Sequence, residues 1–287
     1  MEKLILSISD VKSYMTCPQL FMYRYIDGVG PQYDVSAALL VGTAVHTCLE
    51  AKLRGIEGAE WFGDEYHKAS DEVKAEVQKV MLALRPALDL WTPTDKWEIV
   101  DVEKELRKVI DLSDGSKVEL VGRLDCVVRA MGKLWHLQHK TCHASKPTAV
   151  FSESVRTDWH ETAYQVMASE HYGEAFAGTI LNCIRKLSAK RIAEEPSAVF
   201  ETYYLHRSDA ILEQGWEDIR STVDRMAWDI TAYNIDIAPI KNRMSCAGIF
   251  GNSLCKYKEV CDGKRTLDQM EFVKIDKRYE ASDAGTD

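Results

Sequence analysis

An α/β fold, with a mixed central β-sheet flanked by helices, is expected from three features of this 287-residue sequence. Apolar residues recur at helical spacing from Val41 onward, a block of strand-like alternation fills residues 97–140, and helical and strand-like segments follow in turn to about Tyr233. The composition, 46% hydrophobic and 28% charged, supplies a core and excludes disorder as the dominant state. Seven prolines and 16 glycines without a repeat exclude fibrous and linker-like chains. The expected organisation is one domain over residues 1–261, with a helical insertion at about 54–92 and a cysteine-rich region at about 241–261. A polar tail, 262–287, follows.

Residues 7–27 open on a cap-like Ser7-x-x-Asp10 pattern and continue with helix-compatible apolar positions, predicting one or two short helices that carry Cys17. Val41, Ala44, Val45, Cys48, Leu49 and Leu53 form one helical stripe, and His46 lies off it with Gly42 and Glu50 one turn away on its own face. A further helical region runs toward Leu90, where Pro86 and Pro93 are expected to end it. The segments 97–112, 117–129 and 133–141, separated by Ser113-Asp114-Gly115-Ser116 and a turn at Gly132, predict a three-strand antiparallel meander. Period-two counting places Asp101, Glu103 and Glu105 on one face of the first strand and Val121, Arg123 and Asp125 on one face of the second. The third strand then presents His136, Gln138 and Lys140 together. A helix over 157–172, strands over 178–186 and 199–206, and a long capped helix over 208–233 follow.

Forty-five acidic residues against 36 basic ones give a net charge of −9, which argues against a surface uniformly built for polyanions but permits a narrow basic channel. It also leaves room for a protein partner or a homo-oligomer. No apolar run approaches the ~18 residues of a membrane span, and the first ten residues are too short and acidic for a signal peptide, so no membrane association and a cytoplasmic location are expected. In that setting the eight cysteines are free thiols or metal ligands. Cys246-x8-Cys255-x5-Cys261 puts three of them within sixteen residues. With a fourth ligand, which spacing does not name, such a set closes either a zinc tetrahedron or a four-cysteine iron–sulfur cluster.

The sharpest constellation is Asp125 followed thirteen residues later by Gln138 and then by Lys140 on the same strand face. Phosphodiester hydrolysis assisted by Mg²⁺ or Mn²⁺ needs oxygen ligands on the cation and a positive group to position the attacking water. An acid on one strand, with an oxygen donor and a lysine on its hairpin partner, supplies that set. The competing reading is an ordinary half-exposed hairpin. Lys12, Arg24, Arg123, Lys146, Arg156, Arg185 and Lys186 are candidate phosphate contacts.

Gly122-Arg123-Leu124-Asp125 with Leu134-Trp135-His136-Leu137-Gln138-His139-Lys140-Thr141 resembles the core of the PD-(D/E)XK nuclease superfamily, in its RecB-like branch of CRISPR-adaptation and phage nucleases. The segment GTAVHTCLE resembles that branch's helix histidine, here His46, a metal ligand where the bland alternative is a core histidine. VDVEKEL resembles the strand that brings a further acid, Glu103 or its neighbour Glu105. HETAY resembles the Gln-x-x-x-Tyr helix motif, with Tyr164 in place and His160 standing where Gln is usual, or Gln165 as a shifted substitute. The resemblance runs from about Ser7 to Cys261 and implies a restriction-endonuclease-like core.

What it implies functionally is a Mg²⁺- or Mn²⁺-dependent DNA nuclease, an exonuclease on DNA ends or single strands in phage or bacterial DNA processing. Asp125, position 138 and His46 would hold metal, with Glu103, Lys140 and Tyr164 completing the catalytic set. It further implies a [4Fe–4S] cluster in which Cys17, in a matching Thr16-Cys17-Pro18 context, joins Cys246, Cys255 and Cys261 as a clasp between the termini. The x8 gap departs from the commoner x2 spacing. The departure that matters most is Gln138, which stands where the family has an acid. An amide offers a cation only a neutral carbonyl oxygen, so metal binding and water activation are expected to fall. The sequence is thus read as an inactivated nuclease, an engineered Glu-to-Gln form being favoured over natural decay, with a catalytically dead DNA- or protein-binding protein as the alternative.

Overall fold

A computed structural model describes residues 4–31, 36–57, 60–93, 97–173, 176–235, 237–247, 255–270 and 272–274. Most of the expected polar tail, and the stretch between Cys246 and Cys255 save Ala247, lie outside the described residues. The chain forms two compact units, one of Met1–Asp34, Arg107–Val121 and Trp216–Asp287, the other of Val35–Leu106 and Gly122–Gly215. The architecture is α/β, a mixed sheet with helices on its faces.

Of the meander, the larger unit carries the start of its first strand, the end of its second and all of its third, residues 107–121 belonging to the smaller unit. Strands β3 (Glu98–Asp111), β4 (Lys117–Ala130) and β5 (Lys133–His143) form where alternation predicted them. Strand β4 pairs antiparallel with β5, β5 parallel with β6 (Phe176–Lys186), and β6 antiparallel with β7 (Phe200–Leu205). Every residue from Gly178 to Ile184 is buried because both faces of β6 are covered. On one face Ile184 joins a core with α3 (Ala37–Leu53) and α5 (Asp71–Leu90), in which Leu49, Leu84 and Leu88 are fully buried. Each such leucine stabilises the fold by about 2 kcal/mol. On the other face Leu181 and Cys183 pack with Val155 of α6 (Thr148–Arg156), a helix not expected from the sequence pattern. Helix α7 (Trp159–Tyr172) lies beside it in sequence, and its Gln165 bonds Thr179 of the same β6 face.

Pro86 does not end its helix. α5 continues to Leu90 with Pro86 inside it. The carbonyl that Pro86 leaves without an N–H partner is that of Leu82, whose residue is 70% exposed, so water can take the bond.

In the smaller unit, β1 (Leu4–Ser7) pairs parallel with Val118–Val121 of β4, a strand the alternation had not shown. Ser7 then caps α1 (Ile8–Thr16): its hydroxyl accepts from the Asp10 N–H at 3.1 Å, and the Asp10 carboxylate accepts from the Ser7 N–H at 2.9 Å. Helix α2 (Pro18–Phe21) and a π-helical turn (Met22–Ile26) follow. Strand β2 (Val29–Pro31) pairs with β8 (Phe272–Lys274). The segment from Trp216 of the long helix α9 (Asp209–Tyr233) is tied to α1 by Tyr14, whose hydroxyl donates to Asp229 at 2.5 Å. Within the larger unit a helix α4 (Asp64–Lys68) and a helix α8 (Ala189–Glu194) complete the helical set.

Candidate active site

The ladder between β4 and β5 stops at the pair Cys126 and Leu137. One residue further on, the backbone of each strand is satisfied by a side chain instead. The Asp125 carboxylate accepts the His139 N–H at 2.9 Å, and the Asp125 N–H points at His136 Nε2, 3.3 Å away. The two strands therefore part at the residues the motif singles out, leaving an opening edged by Asp125 on one side and Gln138 to Lys140 on the other.

His46 reaches this opening from α3, with Nδ1 3.5 Å from Asp125 Oδ2. Its ring meets His139 edge-on at 6.1 Å, and Trp91 packs edge-on against His139 at 5.4 Å. Burial pushes the Asp125 carboxyl up, but His46, His136, His139 and the His139 N–H outweigh it and hold the group below its ordinary range. Burial is the largest influence on both rings, lowering His136 and driving His139 to about 3 against the pull of the nearby carboxylates. His46, 37% exposed, is the most open of the three imidazoles.

The register of β5 on β6 sets His136, Gln138 and Lys140 opposite Thr179, Leu181 and Cys183, on the face that meets α7. One residue of that helix gathers them. Glu161, with no exposed surface, accepts from Gln138 Nε2 at 2.5 Å and from the Thr179 hydroxyl at 3.2 Å. Lys140 Nζ and His136 Nδ1 each stand 3.9 Å from its oxygens. Sequence reasoning passed over Glu161, although it lies inside HETAY. A helical carboxylate three residues before an aromatic carries no signal until the face that packs on the sheet is known.

Glu103 and Glu105 are separated by a break in the strand. Glu103 has φ 55°, a left-handed conformation that a glutamate rarely adopts. Before it Ile99 and Asp101 are the inward residues, and after it Leu106 and Ile110 are, so the alternation changes phase at Glu103. The expectation that Glu105 shares the face of Glu103 is thereby corrected, since Glu105 is exposed. Asp101 is engaged by the Tyr172 hydroxyl at 2.7 Å. The Glu103 carboxyl is pushed up by burial and by the nearby charges of Asp125 and Glu50, against Arg123 at 3.6 Å.

Tyr164 packs edge-on against His136 at 5.5 Å, and its hydroxyl is bonded to the Arg123 backbone, with burial raising its pKa strongly. Of the two candidate motif positions, Gln165 joins the network by donating to the Thr179 hydroxyl at 3.2 Å. His160 lies against Trp159 and, 3.7 Å away, Asp158. Among the candidate phosphate contacts Arg156 pairs with Glu153, Arg185 with Glu201 and Arg123 with Glu103, so those charges are partly committed within the fold.

Among the described residues no group of three or more His, Cys, Asp and Glu side chains is arranged to hold a metal ion. Asp125 and His46 offer a carboxylate and an imidazole 3.5 Å apart. The Gln138 amide oxygen is buried without a hydrogen-bond partner, which suits an oxygen-seeking cation.

In the smaller unit Cys17 and Cys255 share a buried cluster with Leu20 and Tyr257, and Cys246 packs against it. The carbonyl of Thr16 accepts from Asn242 Nδ2 at 2.9 Å and Ser245 Oγ at 2.8 Å, and the Cys255 N–H donates to the Cys246 carbonyl at 2.9 Å. The thiols of Cys255 and Cys261 are raised by burial and then by the other cysteines of the set. All four are free. They fit a thiophilic metal group in kind, but their arrangement is not closed on one. Cys48, Cys126, Cys142 and Cys183 are buried elsewhere, in helix α3 and strands β4, β5 and β6.

No curated protein sequence matches the chain significantly. Among solved structures, a protein provisionally described as an exonuclease from Eubacterium rectale aligns over 91% of this chain and 93% of its own, at 12% identity and a TM-score of 0.44. The protein named SSO0001 aligns over 84% and 89%, at 14% identity and a TM-score of 0.33. The model of the PD-(D/E)XK nuclease superfamily matches residues 5–262, which takes in the parted strands, His46 and the four cysteines. The chain belongs to the PD-(D/E)XK nuclease superfamily.

Proposed function

We propose that the chain is a Mg²⁺- or Mn²⁺-dependent deoxyribonuclease, an exonuclease acting on DNA ends or single strands in phage or bacterial DNA processing. The observation that carries this reading is the parting of β4 and β5, which leaves Asp125 with His46 on one side and Gln138 with Lys140 on the other, in a chain of a nuclease family. Asp125, His46 and the amide oxygen of Gln138 would hold the cation. When bound, it neutralises phosphate charge and lowers the pKa of water. Lys140, 30% exposed, orients the attacking water and offsets charge developing on the phosphate. Glu103, whose carboxyl feels the charge of Asp125, would add a second acid, and Tyr164 would border the DNA backbone. The four cysteines would bind a [4Fe–4S] cluster that fastens Cys17 to the C-terminal segment. No described helix is long and apolar enough to cross a membrane, and a cytoplasmic location remains part of the proposal.

Gln138 favours one competing reading, a catalytically dead nuclease-like protein that binds DNA or a protein partner. A nuclease assay with Mn²⁺ on end-labelled single- and double-stranded DNA separates the two. Cleavage that disappears in Asp125→Ala and in Lys140→Ala supports the enzyme. Salt-sensitive DNA binding without cleavage, in this chain and in variants carrying an acid at position 138, would leave only the binding protein.

A further inference from the structure

Glu161 is a fully buried carboxylate, and apart from the Thr179 hydroxyl its side-chain contacts come from His136, Gln138 and Lys140, three residues of one strand. His136, Gln138 and Lys140 alternate along one face of β5, so the strand turns three successive inward side chains toward a single acid on α7. A buried carboxylate is costly and gives a fold little net stability, even when paired. Its nearest partner occupies the strand position where an acid would otherwise stand. Gln138 turns its N–H to Glu161 at 2.5 Å, because a carboxylate can only accept, and this leaves the amide oxygen pointing away and unpaired.

We propose that Gln138 and Glu161 act as one amide–carboxylate unit, in which helix α7 supplies the negative charge that strand position 138 lacks. Gln138 is the positioning residue: it holds Glu161 through its N–H and presents its free oxygen to the divalent cation. Glu161 acts through it and through Lys140, whose ammonium it holds near the opening. A glutamate at position 138 in this same arrangement would bring two carboxylates to about the separation now bridged by an N–H, with no donor between them. Gln138 is therefore matched to Glu161 and is not a lesion. This inference rests on the nuclease reading and deepens it.

The test follows Mn²⁺ binding by calorimetry and DNA cleavage with Mn²⁺, each with thermal unfolding as a control for the fold. It uses the chain as it stands, Glu161→Gln, Gln138→Glu and the exchanged pair Gln138→Glu/Glu161→Gln. Glu161→Gln is expected to weaken Mn²⁺ binding about 10–100-fold, the range for a partner behind a metal ligand, and to lose cleavage. The exchanged pair keeps one amide and one carboxylate in contact and is expected to recover both, which a merely structural role for Glu161 does not predict. It also serves if Glu161→Gln folds poorly. Retention of Mn²⁺ binding and cleavage within twofold in Glu161→Gln, while Asp125→Ala loses both, overturns the proposal and leaves the nuclease intact. Cleavage by Gln138→Glu but not by the chain as it stands overturns it as well, in favour of an inactivated nuclease. Absence of Mn²⁺ binding and cleavage in all four proteins, each folded, removes the nuclease reading itself.

Discussion

His46 Nδ1 lies 3.5 Å from Asp125 Oδ2, joining helix α3 to the point where strands β4 and β5 part. The contact is half-exposed and fills no hydrophobic core, so its loss should be felt in the site and not in the fold. His46→Ala is expected to lower Mn²⁺ affinity about tenfold or more and to cut cleavage. Its unfolding temperature should stay within a few degrees of the parent, and calorimetric titration with parallel thermal melts checks both. A His46→Ala protein with unchanged Mn²⁺ affinity would remove the imidazole from the proposed ligand set.

Lys140 reaches the opening with 30% of its side chain exposed and with Glu161 Oε1 3.9 Å from its ammonium. A cation used to stabilise charge that develops only during the reaction should affect turnover more than binding. Lys140→Met is therefore expected to reduce kcat about 10²–10³-fold with little change in KM for DNA. Steady-state kinetics on a short labelled oligonucleotide provide the comparison, and an equal loss in KM alone would make Lys140 a phosphate contact.

Glu103 is held in a left-handed backbone conformation close to Asp125 and Glu50, and its carboxyl is raised by burial and by those charges. A carboxyl with a raised folded pKa stabilises the fold fully below its unfolded pKa, about 4.3, and progressively less as pH rises through the folded value. Glu103→Gln is expected to remove this decline, melting higher than the parent above pH 5 and not below pH 4. If Glu103 serves the site, the same variant loses activity. Melting curves from pH 3.5 to 7.5 give the sign directly.

The cysteines should divide into two classes. Burial raises Cys48 to about 11 and Cys126 and Cys183 to about 12, so these thiols are protonated near neutral pH and should resist alkylation until the chain unfolds. Their unfolded pKa lies near 8.5, so the unfolded chain loses these protons first and stability should fall as pH rises above that value. Anaerobic reconstitution with iron and sulfide is expected to give a brown protein whose broad visible absorbance disappears in Cys17→Ser and in Cys261→Ser but survives in Cys48→Ser. A colourless protein carrying stoichiometric zinc would assign the clasp to zinc instead.

The meander, its turns and the inward faces of β4 and β5 were legible in the sequence because strand geometry is local: residues two apart share a face whatever lies above them. The same locality made Asp125, Gln138 and Lys140 visible as candidates, whereas His46 and Cys17 were singled out by the family resemblance of their segments. Three features were not local. The four-residue strand β1 is too short to show alternation and is identified by its pairing with β4. The phase change at Glu103 depends on one left-handed residue, which no pattern of residue types announces. Glu161 joins the site because α7 packs its buried face on β5 and β6, a choice made by the fit between helix and sheet, and through it a glutamine that looks like a defect acquires a carboxylate partner. Sequence by itself thus determined which chemical groups the strands can offer. The tertiary structure decided which of them meet, because a contact between a helix and a strand 23 residues apart is set by packing across the sheet and not by spacing along the chain.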